Sequence, residues 1–170
     1  DERRGAMRLA RIGEPGREIP AVAEATGDLW HDLRPLTSDI DGAFLAEGTA
    51  LARAALTAGD LPAVEAARFG PPIAGIGKVV CIGLNYRDHA AETGAAIPTE
   101  PIVFMKAPDT VIGADDPVLI PRSSTKTDYE VELAVVIGRE ARYLASPGDA
   151  RQCIAGYAIS NDVSEREFQL

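Results

Sequence analysis

The sequence predicts an α+β protein in which a small mixed module is followed by a mainly-β half. Three observations carry this reading. Short apolar or alternating segments recur along the chain, and one stretch spaces its apolar residues three and four apart. A Gly- and Pro-containing passage at Gly70, Pro71, Pro72, Gly75 and Gly77 separates two different textures.

Arg8–Ile12 and Ile19–Ala25 read as strands around a turn containing Gly13, Pro15 and Gly16, which predicts a hairpin. A third short segment lies around Leu29–Leu33. Asp39 and Asp41 precede Phe44, Leu45, Leu51, Ala52, Ala55 and Leu56, whose spacing places them on one helical face, and Gly59 ends that helix. Residues 1–71 are therefore expected to form an N-terminal α+β module, and residues 72–170 a second domain. Asp1 to Ala6 precede the first methionine, Met7, and are set aside as an upstream remnant, an alternative start or non-native residues. Beyond the boundary, Lys78–Ile82, Pro101–Met105, Val118–Ile120, Tyr129–Ile137 and Ile154–Ser160 all read as strands.

Composition narrows the function classes. With 170 residues and 46% hydrophobic content the chain can build an ordinary core. The cysteines Cys81 and Cys153 lie far apart without metal-ligand spacing, so neither a disulfide framework nor a zinc site is expected, and a cytoplasmic location is the default. A net charge of −9 with scattered basic residues argues against nucleic acid and anionic lipid as partners. No apolar run approaches the roughly 20 residues that span a bilayer.

Three places could carry chemistry. In the strand from Asp128 to Ile137, alternation puts Val131, Leu133, Val135 and Ile137 on an apolar core face and Glu130 and Glu132 together on the other, roughly 6 to 7 Å apart at Cα. Like charges so placed repel, and a hard divalent cation with oxygen ligands would resolve the repulsion. A solvated sheet face is the alternative. Asp162, at the end of the Ile154–Ser160 strand, could add a third carboxylate. It also begins an Asp-x-x-Glu pattern with Glu165, as Ser164 begins Ser-x-x-Glu with Glu167, so helix capping is the competing explanation. The third place is a short helix over Asn85–Thr93, closed by Gly94, which sets His89 and Glu92 on one face at i, i+3. Such a pair can activate water, the carboxylate orienting the ring; a surface histidine beside an incidental glutamate is the alternative. His31, next to Trp30, reads as structural.

Four segments together, KVVCIGLNYRDHAAE at Lys78–Glu92, PIVFMK at Pro101–Lys106, DYEVELAVVIG at Asp128–Gly138 and AGYAISNDVSERE at Ala155–Glu167, resemble the fumarylacetoacetate hydrolase family. The first seventy residues resemble the small N-terminal module of its bacterial members. The resemblance implies a catalytic β-roll, a mixed β-sandwich roll, and a homodimeric enzyme acting on a small oxo acid. The implied reaction is hydrolysis of a carbon–carbon bond in a 2,4-dioxo acid, an acylpyruvate or a 2,4-diketo-3-deoxy sugar acid, through a metal-stabilised enolate. It also implies that Mg²⁺ or Mn²⁺ is held by Glu130, Glu132 and Asp162, that His89 and Glu92 activate the water, and that Arg87 and Lys106 meet an anionic substrate tail. Decarboxylation or isomerisation of an oxo acid on the same scaffold, or a truncated non-catalytic paralogue, are the alternatives. Family members carry a catalytic lysine and a closing Gly-Asp-x-Ile, Thr-Gly-Thr-Pro segment beyond the position of Leu170. The chain is accordingly expected to lack the C-terminal part of the roll and to expose hydrophobic surface there.

Overall fold

The structure is a computed structural model and describes residues 6–168. The expectation about Asp1 to Ala6 lies, but for Ala6, outside those residues. The chain divides into two compact units, one combining the residues up to Ala74 with those from Gly113 onward, the other formed by Gly75–Ile112.

In the first unit, β1 (Met7–Ile12) and β2 (Ile19–Glu24) form the expected antiparallel hairpin, with Met7 opposite Glu24 and Ile12 opposite Ile19. β3 (Trp30–Asp32) and the short β4 (Ala63–Val64) extend it to a four-stranded sheet in the order β1-β2-β3-β4. The outer edge of β1 is met by residues 68–70: Gly13 donates to the Arg68 carbonyl (2.9 Å), and Gly70 to the Arg11 carbonyl (2.8 Å). Val22, Leu33, Ile40, Phe44, Ala52 and Leu61 form one core cluster, and Ala10, Ile12, Ala21, Ala23 and Trp30 another. His31 is structural, its Nδ1 lying 3.1 Å from the Leu61 carbonyl oxygen.

The predicted helix departs from its ideal phase. A π-helical turn over Phe44–Gly48 precedes α1 (Thr49–Ala58), which Gly59 closes in the left-handed conformation, φ 75°. The wider turn advances the register by about one residue. Ala52, rather than Leu51, therefore joins Phe44 in the core, while Leu51 is 56% exposed. Gly48 permits the turn, because a Cβ there would run into the Phe44 ring.

Charged side chains knit this sheet to the later chain. The Arg11 guanidinium forks onto Asp39 (2.7 and 3.0 Å), and Arg68 bridges Glu18 (3.0 Å) and Asp116 (2.6 Å). Burial pushes the Glu18 carboxyl up, but backbone hydrogen bonding and the guanidinium groups of Arg68 and Arg11 outweigh it and hold Glu18 below its ordinary range.

The Gly75–Ile112 unit contains β5 (Val79–Gly83), α2 (Arg87–Thr93) and β6 (Ile102–Lys106); β5 and β6 pair antiparallel, Cys81 opposite Phe104. The remaining strands belong to the first unit: β7 (Thr127–Asp128), β8 (Val131–Ile137), β9 (Ile154–Asn161) and β10 (Ser164–Glu165), with α3 (Pro147–Gln152) leading into β9. β8 pairs with β9 and β7 with β10, both antiparallel.

Two expectations need correction. Val118–Ile120 forms no strand; nothing among the described residues pairs with it, and Leu119 is 88% exposed. The apolar face of β8 is not a core face either. Val131, Leu133, Val135 and Ile137 are exposed, as are Ile159 and Tyr157, the β9 partners of Leu133 and Val135. Alternation identifies which face is apolar; burial also needs a second layer, and none of the described residues covers this face. The opposite face, with Glu132, Ala134 and Val136, is the half-buried one.

Candidate metal centre and catalytic helix

The break between β7 and β8 at Tyr129–Glu130 lies opposite the break between β9 and β10 at Asp162–Val163. Backbone bonds continue across it: Asp162 N–H donates to the Glu130 carbonyl (2.8 Å), and Glu130 N–H donates to the Asn161 side-chain oxygen (3.0 Å). Thr127 then pairs with Glu165 and Asp128 with Ser164. This local irregularity brings one carboxylate oxygen each of Glu130, Glu132 and Asp162 within 4.8 Å of one another. Glu130 and Glu132 are half-buried and Asp162 is buried at 7% exposure. Of the two alternative readings of these acids, the helix cap is the one that the described residues do not show. Glu132 lies on the more covered face of its ribbon, and Asp162 and Ser164 cap no helix, because Ser164–Glu165 is a strand and the Ser164 hydroxyl donates to the Asp162 carbonyl (3.2 Å).

The charges around this cluster include residues the sequence reading did not single out. The Arg166 guanidinium donates to Asp128 through Nε (3.2 Å) and Nη2 (2.9 Å) and to Glu130 through Nη1. Its hydrogen bonds, with the Tyr129 N–H, hold the Asp128 carboxyl below its ordinary range. Glu165 accepts from the Ser124 hydroxyl, from Thr127 Oγ1 (3.0 Å) and from Lys126 N–H (3.2 Å), and is likewise lowered, first by Ser124. Lys126 Nζ lies 2.8 Å from Glu167. A clue was present in the sequence: Asp128, Glu130 and Glu132 alternate along one strand, and Arg166 is the one basic residue between Ile154 and Phe168. Beside the cluster, Val118, Ile120, Thr127, Asp128, Tyr129 and Val163 line an open depression of about 280 Å³.

In the other unit, Leu84 in the left-handed region (φ 45°) leads from β5 into α2, which starts after an extended Tyr86 and is closed by Gly94. His89 and Glu92 occupy adjacent turns of α2, both exposed. No hydrogen bond joins their side chains among the described residues; the His89 backbone N–H donates to Asp88 (3.0 Å), and its carbonyl accepts from the Thr93 hydroxyl (3.0 Å). Arg87 is exposed at the start of α2, and Lys106 is half-buried at the end of β6.

The donor set suits one class of cation. Three carboxylates and no nitrogen or sulfur make a hard, all-oxygen set, which matches Mg²⁺, Mn²⁺ or Ca²⁺ and not a soft metal. A divalent cation held among them would offset the mutual repulsion of the carboxylates, in addition to the positive charge that Arg166 brings to Glu130. Among the described residues no helix is long and apolar enough to cross a membrane.

Comparison with known proteins agrees with this architecture. Residues 78–170 match the sequence model of the fumarylacetoacetate (FAA) hydrolase C-terminal domain. A 2,4-didehydro-3-deoxy-L-rhamnonate hydrolase of Sphingomonas sp. (strain SKA58) is 45% identical over 161 residues, 94% of this chain and 54% of that protein. Among solved structures, a fumarylacetoacetate hydrolase from Exiguobacterium antarcticum superposes with a TM-score of 0.76 at 30% identity, covering 96% of this chain and 58% of the other. A Mycobacterium smegmatis protein gives a TM-score of 0.75 at 32% identity, with 97% and 57% coverage. The chain thus spans little more than half the length of these relatives. The β-rich segments it shares with them carry both the acidic cluster and the His89 helix, and the chain belongs to the fumarylacetoacetate hydrolase family.

Proposed function

We propose that the protein is a metal-dependent hydrolase that cleaves a carbon–carbon bond in a 2,4-dioxo acid, with a 2,4-didehydro-3-deoxy sugar acid as the favoured substrate class. The observation that carries the reading is the convergence of Glu130, Glu132 and Asp162 within 4.8 Å as an all-oxygen donor set. The name of the 45% identical relative supports the substrate class. These three residues hold Mg²⁺ or Mn²⁺, which when bound supplies Lewis acidity where negative charge develops on the 2-oxo acid group.

The remaining work falls to the chain. His89 accepts a proton from the attacking water at a ring nitrogen, and the negative charge of Glu92, one turn on, stabilises the imidazolium. The oxygen of that water adds to the C4 carbonyl, the C3–C4 bond breaks, and its electron pair passes to the 2-oxo acid half, which then takes up a proton. Arg87 and Lys106 offer positive charge to the anionic end of the substrate. The enzyme is read as a cytoplasmic homodimer, which sedimentation of the natural protein and cell fractionation would check.

The test is pyruvate release from acylpyruvates, and the corresponding 2-oxo acid release from 2,4-didehydro-3-deoxy sugar acids, by the full-length protein with and without Mg²⁺ or Mn²⁺. Metal-dependent turnover that Glu132→Ala abolishes is expected. Turnover indifferent to metal, or retained by Glu132→Ala, would overturn the reading. Mass spectrometry of the products separates hydrolysis from decarboxylation and isomerisation.

A further inference from the structure

Asp128, Glu130 and Glu132 form a row of alternating acids, and two cations compete for it. Arg166 takes one end, bonded to Asp128 and Glu130; the proposed divalent ion takes the other, with Glu130, Glu132 and Asp162. Glu130 belongs to both groups. Its backbone is fixed by Asn161 and Asp162, so the guanidinium fixes what is left free, the direction of its carboxylate.

We propose that Arg166 is the positioning residue of the carboxylate triad, holding Glu130 oriented toward the cation and keeping Asp128 out of its coordination. This inference rests on the triad being the metal site. Arg166 suits the task because a planar fork can bind neighbouring carboxylates in fixed geometry, which a lysine cannot reproduce. It is anchored to do so: β10, which ends at Glu165, is tied to the start of β7 through Ser124, Lys126 and Thr127, so Arg166 leaves a fixed strand end.

Two roles for Arg166 predict opposite signs. If the guanidinium acted only as a nearby positive charge, it would repel the metal, and removing it would tighten binding. If it orients Glu130, removing it weakens binding, on the order of 10- to 100-fold for a partner that orients a metal ligand.

The experiment is Mn²⁺ binding to the full-length protein by calorimetry and by the Mn²⁺ electron paramagnetic resonance line shape, for wild type, Arg166→Gln, Arg166→Lys and Asp128→Asn. The proposal expects Arg166→Gln to bind Mn²⁺ at least tenfold more weakly with an altered line shape, and Arg166→Lys to recover only part of the affinity. Asp128→Asn, which loosens the other anchor of Arg166 without touching a ligand, should weaken binding by a smaller factor and keeps the test decisive should the Gln variant fail to fold. Lys126→Met, which breaks only the exposed pair with Glu167, should leave affinity unchanged. Unchanged or tighter binding in Arg166→Gln, or in Asp128→Asn where the former does not fold, overturns the role of Arg166 alone, provided Glu132→Ala still abolishes binding. Wild-type protein that binds no Mn²⁺, or a Glu132→Ala variant that binds it normally, overturns the triad together with the role of Arg166.

Discussion

The fork between Arg11 and Asp39 ties the edge strand β1 to the turn ahead of α1, and it is open to a quantitative test. Both hydrogen bonds, 2.7 and 3.0 Å, join ionised partners, and the side chains are only 13% and 26% exposed. A hydrogen bond to a charged group contributes about 1.5–3 kcal/mol, and breaking a fully buried ion pair costs about 3–5 kcal/mol. Asp39 retains the Ile40 N–H and some access to water, which places Arg11→Met at a cost of about 2–3 kcal/mol. At about 2–4 °C per kcal/mol for a chain of this size, Tm should fall by about 4–12 °C. A double-mutant cycle with Asp39→Ala, followed by urea denaturation, isolates the coupling between the two residues.

The coupling should also depend on pH. Burial pushes the Asp39 carboxyl up, but the Arg11 fork and the Ile40 N–H outweigh it and leave the group below its ordinary value. A carboxyl depressed in the folded state contributes stability that is present above its unfolded pKa, about 4, and is lost as pH falls through the folded value. Arg11 stays protonated throughout. The cycle should therefore give about 2 kcal/mol at pH 7 and collapse toward zero in strong acid. A coupling under about 0.5 kcal/mol at pH 7, the range of an exposed pair, would refute the reasoning, as would one that persisted after Asp39 is protonated.

Gly48→Ala should destabilise the protein by about 1–2 kcal/mol in the same urea assay, because the new methyl displaces the Phe44 ring and the gain in helix propensity only partly offsets the strain. His89→Gln and Glu92→Gln should each lower kcat, His89→Gln by about 10²- to 10⁴-fold, while Mn²⁺ affinity measured by calorimetry stays at the wild-type value, since neither belongs to the carboxylate cluster. Leu133→Lys and Ile159→Lys should reduce dye binding and aggregation of the 170-residue chain without lowering its Tm, because both side chains already face solvent, at 58% and 84% exposure.

Much of the fold is legible in local pattern. The β1–β2 hairpin follows from two apolar strands around a Gly- and Pro-containing turn, and the ends of α1 and α2 from Gly59 and Gly94. What escapes the pattern depends on contacts distant in sequence. The π-helical turn at Phe44–Gly48 arises from how Phe44 packs over Gly48, and periodicity alone puts Leu51 in the wrong phase. Val118–Ile120 is apolar enough for a strand, but strands form in pairs. At the site, alternation puts Glu130 and Glu132 on one face but leaves a solvated face and a helix cap as competing explanations; it is the resemblance to the family that joins them to Asp162 as a metal triad. Their convergence depends on two matched strand breaks that no spacing rule encodes, and Arg166 reaches Glu130 from 36 residues away.

The proposed chemistry requires that Glu130, Glu132 and Asp162 hold the divalent ion. Crystals of the full-length protein grown with Mn²⁺ should show a single strong anomalous peak among the three carboxylates, with ligand oxygens at about the 2 Å expected for a small hard cation. A Mn²⁺ peak bound elsewhere, with these carboxylates not ligating, in an enzyme whose turnover requires Mn²⁺, would contradict it.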